Sequence, residues 1–305
     1  MNDLGIVYCH FNPIGIIKRE KNLFQFQECL KRQIPKDTPV VSVEATFLNR
    51  HPISNPTIHL KANEMNCMWQ KESLINIGMK ELIKQGCSKI AWIDADLIFL
   101  DNNWFKKCQV LLDKVSVVQL FENVRMQNHP RRNSFFTQKG FVAGFYQYQP
   151  SEKRWDMGRT GLAWAARVDS IPHLLLDNSI IGGADKKMAF SWIGLNPKEK
   201  IETREESLEF SGETFHQLWL DWESKTPLHH DVCFLDSTIT HLYHGEIKNR
   251  DYKERHRIIK HIRKEDFFKE ESGLWRWSND CKHMPTVIKK YFYSRKEDVS
   301  PYMFV

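Results

Sequence analysis

Short apolar runs of strand length alternate with stretches of helical spacing over residues 1–121, and that alternation narrows the possible folds more than any other feature. Leu4–His10 reads as a buried strand, broken by Asn12-Pro13. Leu23, Phe26, Leu30 and Ile34 then mark a helix over about 20–33. Val40–Ala45 is a second strand that ends in the carboxylate Glu44, and a helix over 64–85 turns Trp69, Ile75, Met79 and Leu82 inward. Ile90–Leu100 is a third strand, about 103–113 another helix, and Ser116–Phe121 the strand after it. Repetition of this kind implies a mostly parallel α/β sheet with helices on both faces.

In the third strand Ile90-Ala-Trp-Ile93 runs into Asp94-Ala-Asp96 and on into Leu97-Ile-Phe-Leu100. Aspartates two apart on a strand point the same way, and unpaired charge is costly to bury. They belong at the strand's C-terminal end, where an α/β sheet opens into its ligand crevice. Two carboxylates there make half of a hard-cation site suited to Mg²⁺ or Mn²⁺, with substrate phosphates completing the shell. The pattern points to a metal-assisted enzyme acting on a diphosphate. A solvated turn is the bland alternative, although turn aspartates seldom lie between two such apolar runs. Phosphatases of the haloacid dehalogenase type also carry Asp-x-Asp after a strand. Theirs usually sits on the first strand and continues to Thr or Val, where this chain has Leu97-Ile98.

With 305 residues, 41% of them hydrophobic and 27% charged, the chain can bury a substantial core. No apolar stretch approaches membrane-span length, and Ile6-Val-Tyr-Cys9 is too short for a signal-peptide core. The seven cysteines are scattered and include no Cys-x-x-Cys. That speaks against a disulfide framework or zinc cluster and for a reducing, cytoplasmic compartment. The balance of 44 basic and 38 acidic residues leaves +6, which mildly favours an anionic partner.

After Glu122 the alternation lapses. Residues 122–140 show no period, and within them Gln127–Asn133, with His129, Arg131 and Arg132, reads as a mobile loop suited to an acceptor-binding lid, and the charge-rich 195–215 as a surface excursion. Lys248–Lys264 contains eight basic and two acidic residues. On a helix Arg250, Lys253, Arg257, Lys260 and Lys264 would share one face, giving either a solvated surface or contact with a phosphate-rich acceptor or anionic membrane. There is no Walker loop, Gly-x-Ser-x-Gly or Gly-x-Gly-x-x-Gly.

Several blocks together resemble nucleotide-diphosphate-sugar glycosyltransferases of the GT-A fold. They are Asp94-Ala-Asp96, the upstream Trp69-Gln-Lys-Glu-Ser-Leu-Ile-Asn76, and Gly161-Leu-Ala-Trp-Ala165. Gly182-Gly-Ala-Asp185, His241-Leu-Tyr-His-Gly245 and Asn249-Arg-x-Tyr252 follow. Their order, with the closing Tyr291-Phe-x-x-Arg295-x-Glu-Asp298, is similar to that of uncharacterised glycosyltransferases in phage and large-virus genomes. The resemblance spans nearly the whole chain. It implies a GT-A (Rossmann-like) catalytic domain over 1–245, with a nucleotide-sugar half over about 1–121 and an acceptor half over about 122–245. A basic helical C-terminal extension would occupy 246–305. It further implies Mn²⁺- or Mg²⁺-dependent transfer from a nucleoside-diphosphate sugar, first of all a UDP-sugar, to a glycan hydroxyl with inversion. The cytoplasm would be the host's if the chain is viral.

In such an enzyme the metal bridges Asp94 and Asp96 to the donor phosphates, and a late histidine closes the site. His241 and His244 are the candidates, and Gly245 favours His244 because it lets the backbone approach a phosphate. The competing reading of either is a partly buried structural histidine. Asp185 takes the position of the base that deprotonates the acceptor, or simply caps the helix after it. Lys71 and Asn76 lie where related folds contact the donor nucleotide, Glu44 would hydrogen-bond its ribose or base, and Trp164 would stack on a sugar or acceptor ring. Against these stand a surface salt bridge for Lys71 and a core role for Trp164.

Other functions meet the same residues. A metal-dependent nuclease or phosphoesterase would also use the acidic pair beside basic surface. A binding module that has kept a GT-A shell would not need the carboxylates. Within the glycosyltransferase reading the alternative acceptor is DNA carrying hydroxymethylated pyrimidines, presented flipped out or single-stranded.

Overall fold

The computed structural model describes residues 3–129, 134–147, 158–194, 197–226, 231–252 and 254–298, with the backbone alone at 197–204 and 206. Arg131, Arg132 and Lys253 lie outside the described residues. The main sheet has seven strands in the order β10 (Val232–Phe234), β6 (Val117–Gln119), β9 (Ala163–Arg167), β4 (Lys89–Ile93), β1 (Leu4–Phe11), β2 (Val40–Thr46) and β3 (Ile58–Lys61). Every neighbouring pair is parallel except those made by β9, which runs antiparallel to β4 and β6. This is the mostly parallel α/β sheet expected from the strand-helix alternation.

Helices cover both faces because alternate strand residues point opposite ways. Leu4, Ile6 and Tyr8 pack with Leu23, Phe26 and Leu30 of α1 (Ile17–Gln33) and with Trp104 of α3 (Trp104–Leu112). Val7, Val41 and Val43 pack with Leu74, Met79 and Leu82 of α2 (Lys71–Lys84), and Trp92 with Trp192 of α5 (Ala184–Ile193). All of β4 is buried, which is why it continues from Lys89, paired with Asp3 and Asp113, into the apolar run Ile90–Ile93.

A second sheet, in the order β5 (Leu97–Phe99), β11 (Thr238–His241), β7 (Asn123–Gln127) and β8 (Phe135–Lys139), puts strands on either side of the expected loop Gln127–Asn133, where no strand was expected within 122–140. β7 and β8 pair antiparallel from Asn123 opposite Lys139 to Gln127 opposite Phe135. Val124 and Met126 do alternate inward, but only two apolar residues among Asn, Arg and Gln make a weak signal. Within the charge-rich 195–215, the described residues from Pro197 onward are helical. They contribute to α6 (Pro197–Lys225), a long helix kinked at Gly212.

The C-terminal segment also departs from expectation, being only partly helical. Two 3-10 turns, Ile247–Arg250 and Glu254–Ile259, are separated by Asp251 in the left-handed region at φ 45°. A hairpin, β12 (Phe267–Lys269) with β13 (Trp275–Trp277), and the helix α7 (Met284–Ser294) follow. The left-handed residue breaks the amphipathic basic helix, so its charges do not share a face. Arg250 is buried, whereas Arg257 and Lys260 are exposed and Arg257 pairs with Glu254 at 2.9 Å. Trp277, Ile288 and Phe292 instead close a third core with Met68, Ile181 and Phe215. The segment ends on α1, whose amides at Ile17 and Lys18 donate to Asp298 at 2.9 and 2.8 Å. All seven cysteines are free, and no described helix is long and apolar enough to cross a membrane.

Candidate active site

Asp94 and Asp96 leave the C-terminal end of β4. The Asp94 amide donates to the Leu162 carbonyl at 2.8 Å, tying the turn to the start of β9. β5 then pairs with β11 so that Leu97 faces His241, and the Leu242 amide donates to the Asp96 carbonyl at 2.9 Å. This register sets His241, and His244 three residues on, against the Asp96 side chain. A cavity of about 490 Å³ opens here, lined from the sheet edge by Asp94 and Asp96, from α5 by Asp185 and Lys187, and from the C-terminal segment by Arg250 and Arg255.

The imidazoles of His241 and His244 converge with the Asp96 carboxylate. His244 Nε2 lies 3.0 Å from Asp96 Oδ2 and 3.2 Å from His241 Nε2, and His241 Nε2 is 3.7 Å from Asp96 Oδ2. Arg250 Nη2 is also 3.0 Å from His244 Nε2, and Asp96 Oδ1 is buried with no hydrogen-bond partner. One ring nitrogen cannot serve a carboxylate, a second ring nitrogen and a guanidinium together. A divalent cation accounts for the approach of the carboxylate and the two rings: with bonds of about 2.0–2.2 Å, ligand atoms around one ion stand about 3 Å apart. Asp96, His241 and His244 are therefore a donor set that fits such an ion. Burial opposes charge on Asp96, yet His241, His244 and Arg250 hold its carboxyl below the usual range.

A carboxylate behind the rings orients one of them. Glu297 Oε1 sits 3.4 Å from His244 Nδ1 and also binds Arg295 Nη2 at 2.6 Å, while its Oε2 meets Arg19 Nε at 2.5 Å. Burial is opposed by Arg19, His244 and Arg295, which keep Glu297 ionised far below the ordinary carboxylate range. Glu297 and Arg295 fall in the closing block of the sequence but carried no assigned role, and Arg19 sits in an amphipathic helix with nothing to single it out.

Lys71, at the first position of α2, is the hub of the other half. Its ammonium lies 3.1 Å from Asp185 Oδ1, 3.2 Å from Asp94 Oδ1 and 3.6 Å from Glu72 Oε1. Burial disfavours the charged amine, but Asp185, Asp94 and Glu72 outweigh it and raise its pKa well above normal. Burial, countered by Lys71, lifts Asp94 to about 6, while Lys71 outweighs burial at Asp185 and leaves that group lowered. Glu72, 2% exposed, is pushed up to about 8 by burial. Asp94 thus faces Lys71, and Asp96 faces the histidines. Gly161 makes room for Asp185, since a Cβ there would stand 2.3 Å from Asp185 Oδ2. Asp185 does not cap α5: Gly183 is the N-cap and no side chain bonds there.

Three residues expected at the donor site have other positions. The Glu44 carboxylate accepts from the Ile53 and Ser54 amides and the Ser54 hydroxyl, securing the loop after β2. Asn76 clasps the Leu175 backbone through both its amide atoms and donates to Asp177. Trp164 is buried against Trp192, its indole N–H donating to the Thr160 carbonyl. None of the three lines the cavity. Glu44 is read from its place at the end of a strand, and Asn76 and Trp164 from their motif blocks; a one-residue shift reverses the face on a strand and turns it by about 100° on a helix.

Comparison with protein-family models gives no match, and comparison with curated proteins gives none. Among solved structures, the catalytic domain of a Drosophila β1,4-galactosyltransferase 7 is similar at 14% identity and TM-score 0.32, over 61% of this chain and 58% of that one. This chain therefore spans somewhat more than half the length of that structure. A candidate nucleotide-diphospho-sugar transferase from Desulfovibrio desulfuricans matches at 10% identity and TM-score 0.38, over 79% and 83% of the two chains. A glycosyltransferase involved in glycosylating the major capsid of PBCV-1 matches at 12% identity and TM-score 0.31, over 82% and 97%. Likeness at this level assigns no activity, and the site's own geometry has to carry the functional argument.

Proposed function

We propose that this chain is a metal-dependent glycosyltransferase, moving a sugar from a nucleoside-diphosphate sugar, first of all a UDP-sugar, to a glycan hydroxyl. The observation that carries this reading is the convergence of Asp96, His241 and His244 on one point of a cavity whose other wall holds Asp185 and Lys71. Mn²⁺ or Mg²⁺, when bound, supplies Lewis-acid stabilisation of the departing diphosphate. Asp96, His241 and His244 would hold it, with Asp94 as the further carboxylate. Arg250, beside His244, offers the leaving phosphates a buried guanidinium. Asp185 takes the acceptor's proton as that oxygen bonds to the anomeric carbon and the carbon–oxygen bond to the diphosphate breaks. In-line displacement of this kind inverts the anomeric centre. Lys71 orients the Asp185 carboxylate and separates its charge from that of Asp94.

Transfer of radiolabelled sugar from UDP-, GDP- and dTDP-sugars, with and without Mn²⁺, tests the reading. No turnover and no metal-dependent rise in Tm with any donor would overturn it. The same Asp-His-His cluster would also serve a metal-dependent phosphoesterase, which predicts phosphate release from simple esters without a sugar donor. Hydroxymethylpyrimidine DNA is the alternative acceptor, and it belongs in the same assay beside saccharides.

A further inference from the structure

One corner of the cavity carries positive charge that no carboxylate among the described residues meets in a close ion pair, although Asp185, in the first turn of the neighbouring helix, feels the charge of Arg255. Arg255 is 8% exposed, and its Nε has no hydrogen-bond partner. Its Nη1 donates to the Tyr291 hydroxyl at 3.3 Å, and among the described residues no carboxylate pairs with it. Beside it begins α5, whose N-cap Gly183 brings no side chain to the helix amides. Gly182 and Gly183 have φ of 87° and 95°, and a Cβ on Gly183 would lie 2.9 Å from His256 Cε1 and 3.5 Å from Arg255 Nη2. Glycine at 183 thus keeps the mouth of the helix open toward both side chains.

Lys187, one turn into α5, lines the same cavity. Its ammonium meets the Phe215 carbonyl at 3.3 Å and the Trp219 ring at 5.8 Å, and no acid among the described residues. Burial lowers Lys187 to about 8, and burial together with Arg255, Lys187 and Lys186 drives His256 to about 3. The corner therefore combines the positive end of a helix with a buried guanidinium and a half-buried ammonium, an arrangement that favours an anion.

We propose that this corner is a subsite for one compact anion, a carboxylate or phosphate ester carried by a sugar. The anion rests on the first amides of α5 and on Arg255, with Lys187 and His256 beside it. Arg255 is too enclosed to meet an extended polyanion, which favours a single small group over a nucleic-acid strand. The sugar that carries the anion rests on the glycosyltransferase reading, and it belongs either to the donor or to the acceptor. The site itself does not depend on that reading.

Inorganic phosphate titrated calorimetrically into the full chain without metal tests the site. We expect one binding event, weakened about tenfold or more by Arg255→Gln and by Lys187→Met, and kept by Lys187→Arg. Asp96→Asn should leave it unchanged. Thermal unfolding of each variant separates loss of the site from loss of the fold. Absence of binding to the wild type, or binding that survives Arg255→Gln and Lys187→Met, overturns the proposal. Competition in the presence of Mn²⁺ then reads the source. Displacement of phosphate by UDP-glucuronate but not UDP-glucose places the anion on the donor. Displacement by glucose 6-phosphate but not glucose places it on the acceptor. Displacement by neither means an adventitious ion only and overturns the subsite. Intact phosphate binding with no sugar transfer would instead overturn the glycosyltransferase reading alone.

Discussion

Glu297 Oε1 stands 3.4 Å from His244 Nδ1, a distance that favours a proton on Nδ1 without closing a hydrogen bond, and Nε2 faces Asp96 and His241. A carboxylate behind a ligating histidine fixes the tautomer and raises the basicity of the other nitrogen. Glu297→Gln should therefore weaken Mn²⁺ binding by about 10–100-fold, read by titration against a metal indicator. Glu297→Ala should in addition destabilise the fold by about 3–5 kcal/mol in urea, because Arg19 and Arg295 lose the acid they share. Unchanged metal affinity in Glu297→Gln would detach this carboxylate from the metal centre.

The two aspartates of the Asp-x-Asp turn should not behave alike. Asp96→Asn and His241→Ala are expected to abolish measurable Mn²⁺ binding, because each removes an atom from the converging set. Asp94→Asn should retain part of it, since its oxygen lies against Lys71. Calorimetric titration of Mn²⁺ gives the ranking. A full loss in Asp94→Asn with a mild one in His241→Ala would return the metal centre to the arrangement implied by the sequence motif.

Asp185→Asn should cut turnover by about 10²–10⁴-fold while leaving donor affinity within a few-fold, as expected on losing a proton acceptor. Lys71→Met should impair both, because it leaves Asp94, Asp185 and Glu72 without their shared cation. Product stereochemistry by NMR checks the assignment independently: a retained anomer would remove the base role from Asp185.

Glu72 makes the pH dependence testable. Burial raises its pKa from an ordinary 4.5 to about 8, so the folded state holds a proton that the unfolded chain releases sooner. Its contribution to stability is complete below about pH 4.5 and is lost as pH rises through about 8. Glu72→Gln, neutral at every pH and close in shape, should flatten this loss in urea melts between those limits. An identical pH profile in the variant would mean that Glu72 is ionised when buried.

Asp298→Ala removes the carboxylate that accepts from the first two amides of α1, and should cost about 1 kcal/mol, typical of a lost N-terminal cap. Denaturant unfolding at neutral pH measures it. No change would show that water replaces the carboxylate without loss.

The sheet was legible because burial on both faces writes itself as unbroken apolar runs, as in Ile90–Ile93, and because Leu23, Phe26 and Leu30 keep one helical face. The β7–β8 hairpin was not legible. Its strands offer only Val124 and Met126 to the interior, too few residues to show a period of two. At the site, Asp94, Asp96, Lys71, Asp185 and both histidines are brought to one cavity, as their motifs implied. Glu44, Asn76 and Trp164 point elsewhere, because motif order fixes where a residue lies along the chain but not which face of its element it occupies. Arg250 and Arg255 looked like surface charge in a basic run. Both are buried on either side of the left-handed turn at Asp251, and aspartate is one of several residues that tolerate that conformation.

Arg19 and Glu297 are 278 positions apart, and the metal-facing histidine is aligned only once they meet. Contacts between such distant residues bring the largest loop-closure cost and tend to form late. A nascent chain that has not yet released residues 295–298 from the ribosome can complete its sheet while His244 still lacks its partner. A single proteolytic cut ahead of Arg295 would take Glu297 away from both His244 and Arg19, and so cost stability as well as the alignment of the histidine. The Arg19–Glu297 contact is in that sense the molecule's arming pin, and intactness of residues 295–298 is the first thing to verify in any preparation found inactive.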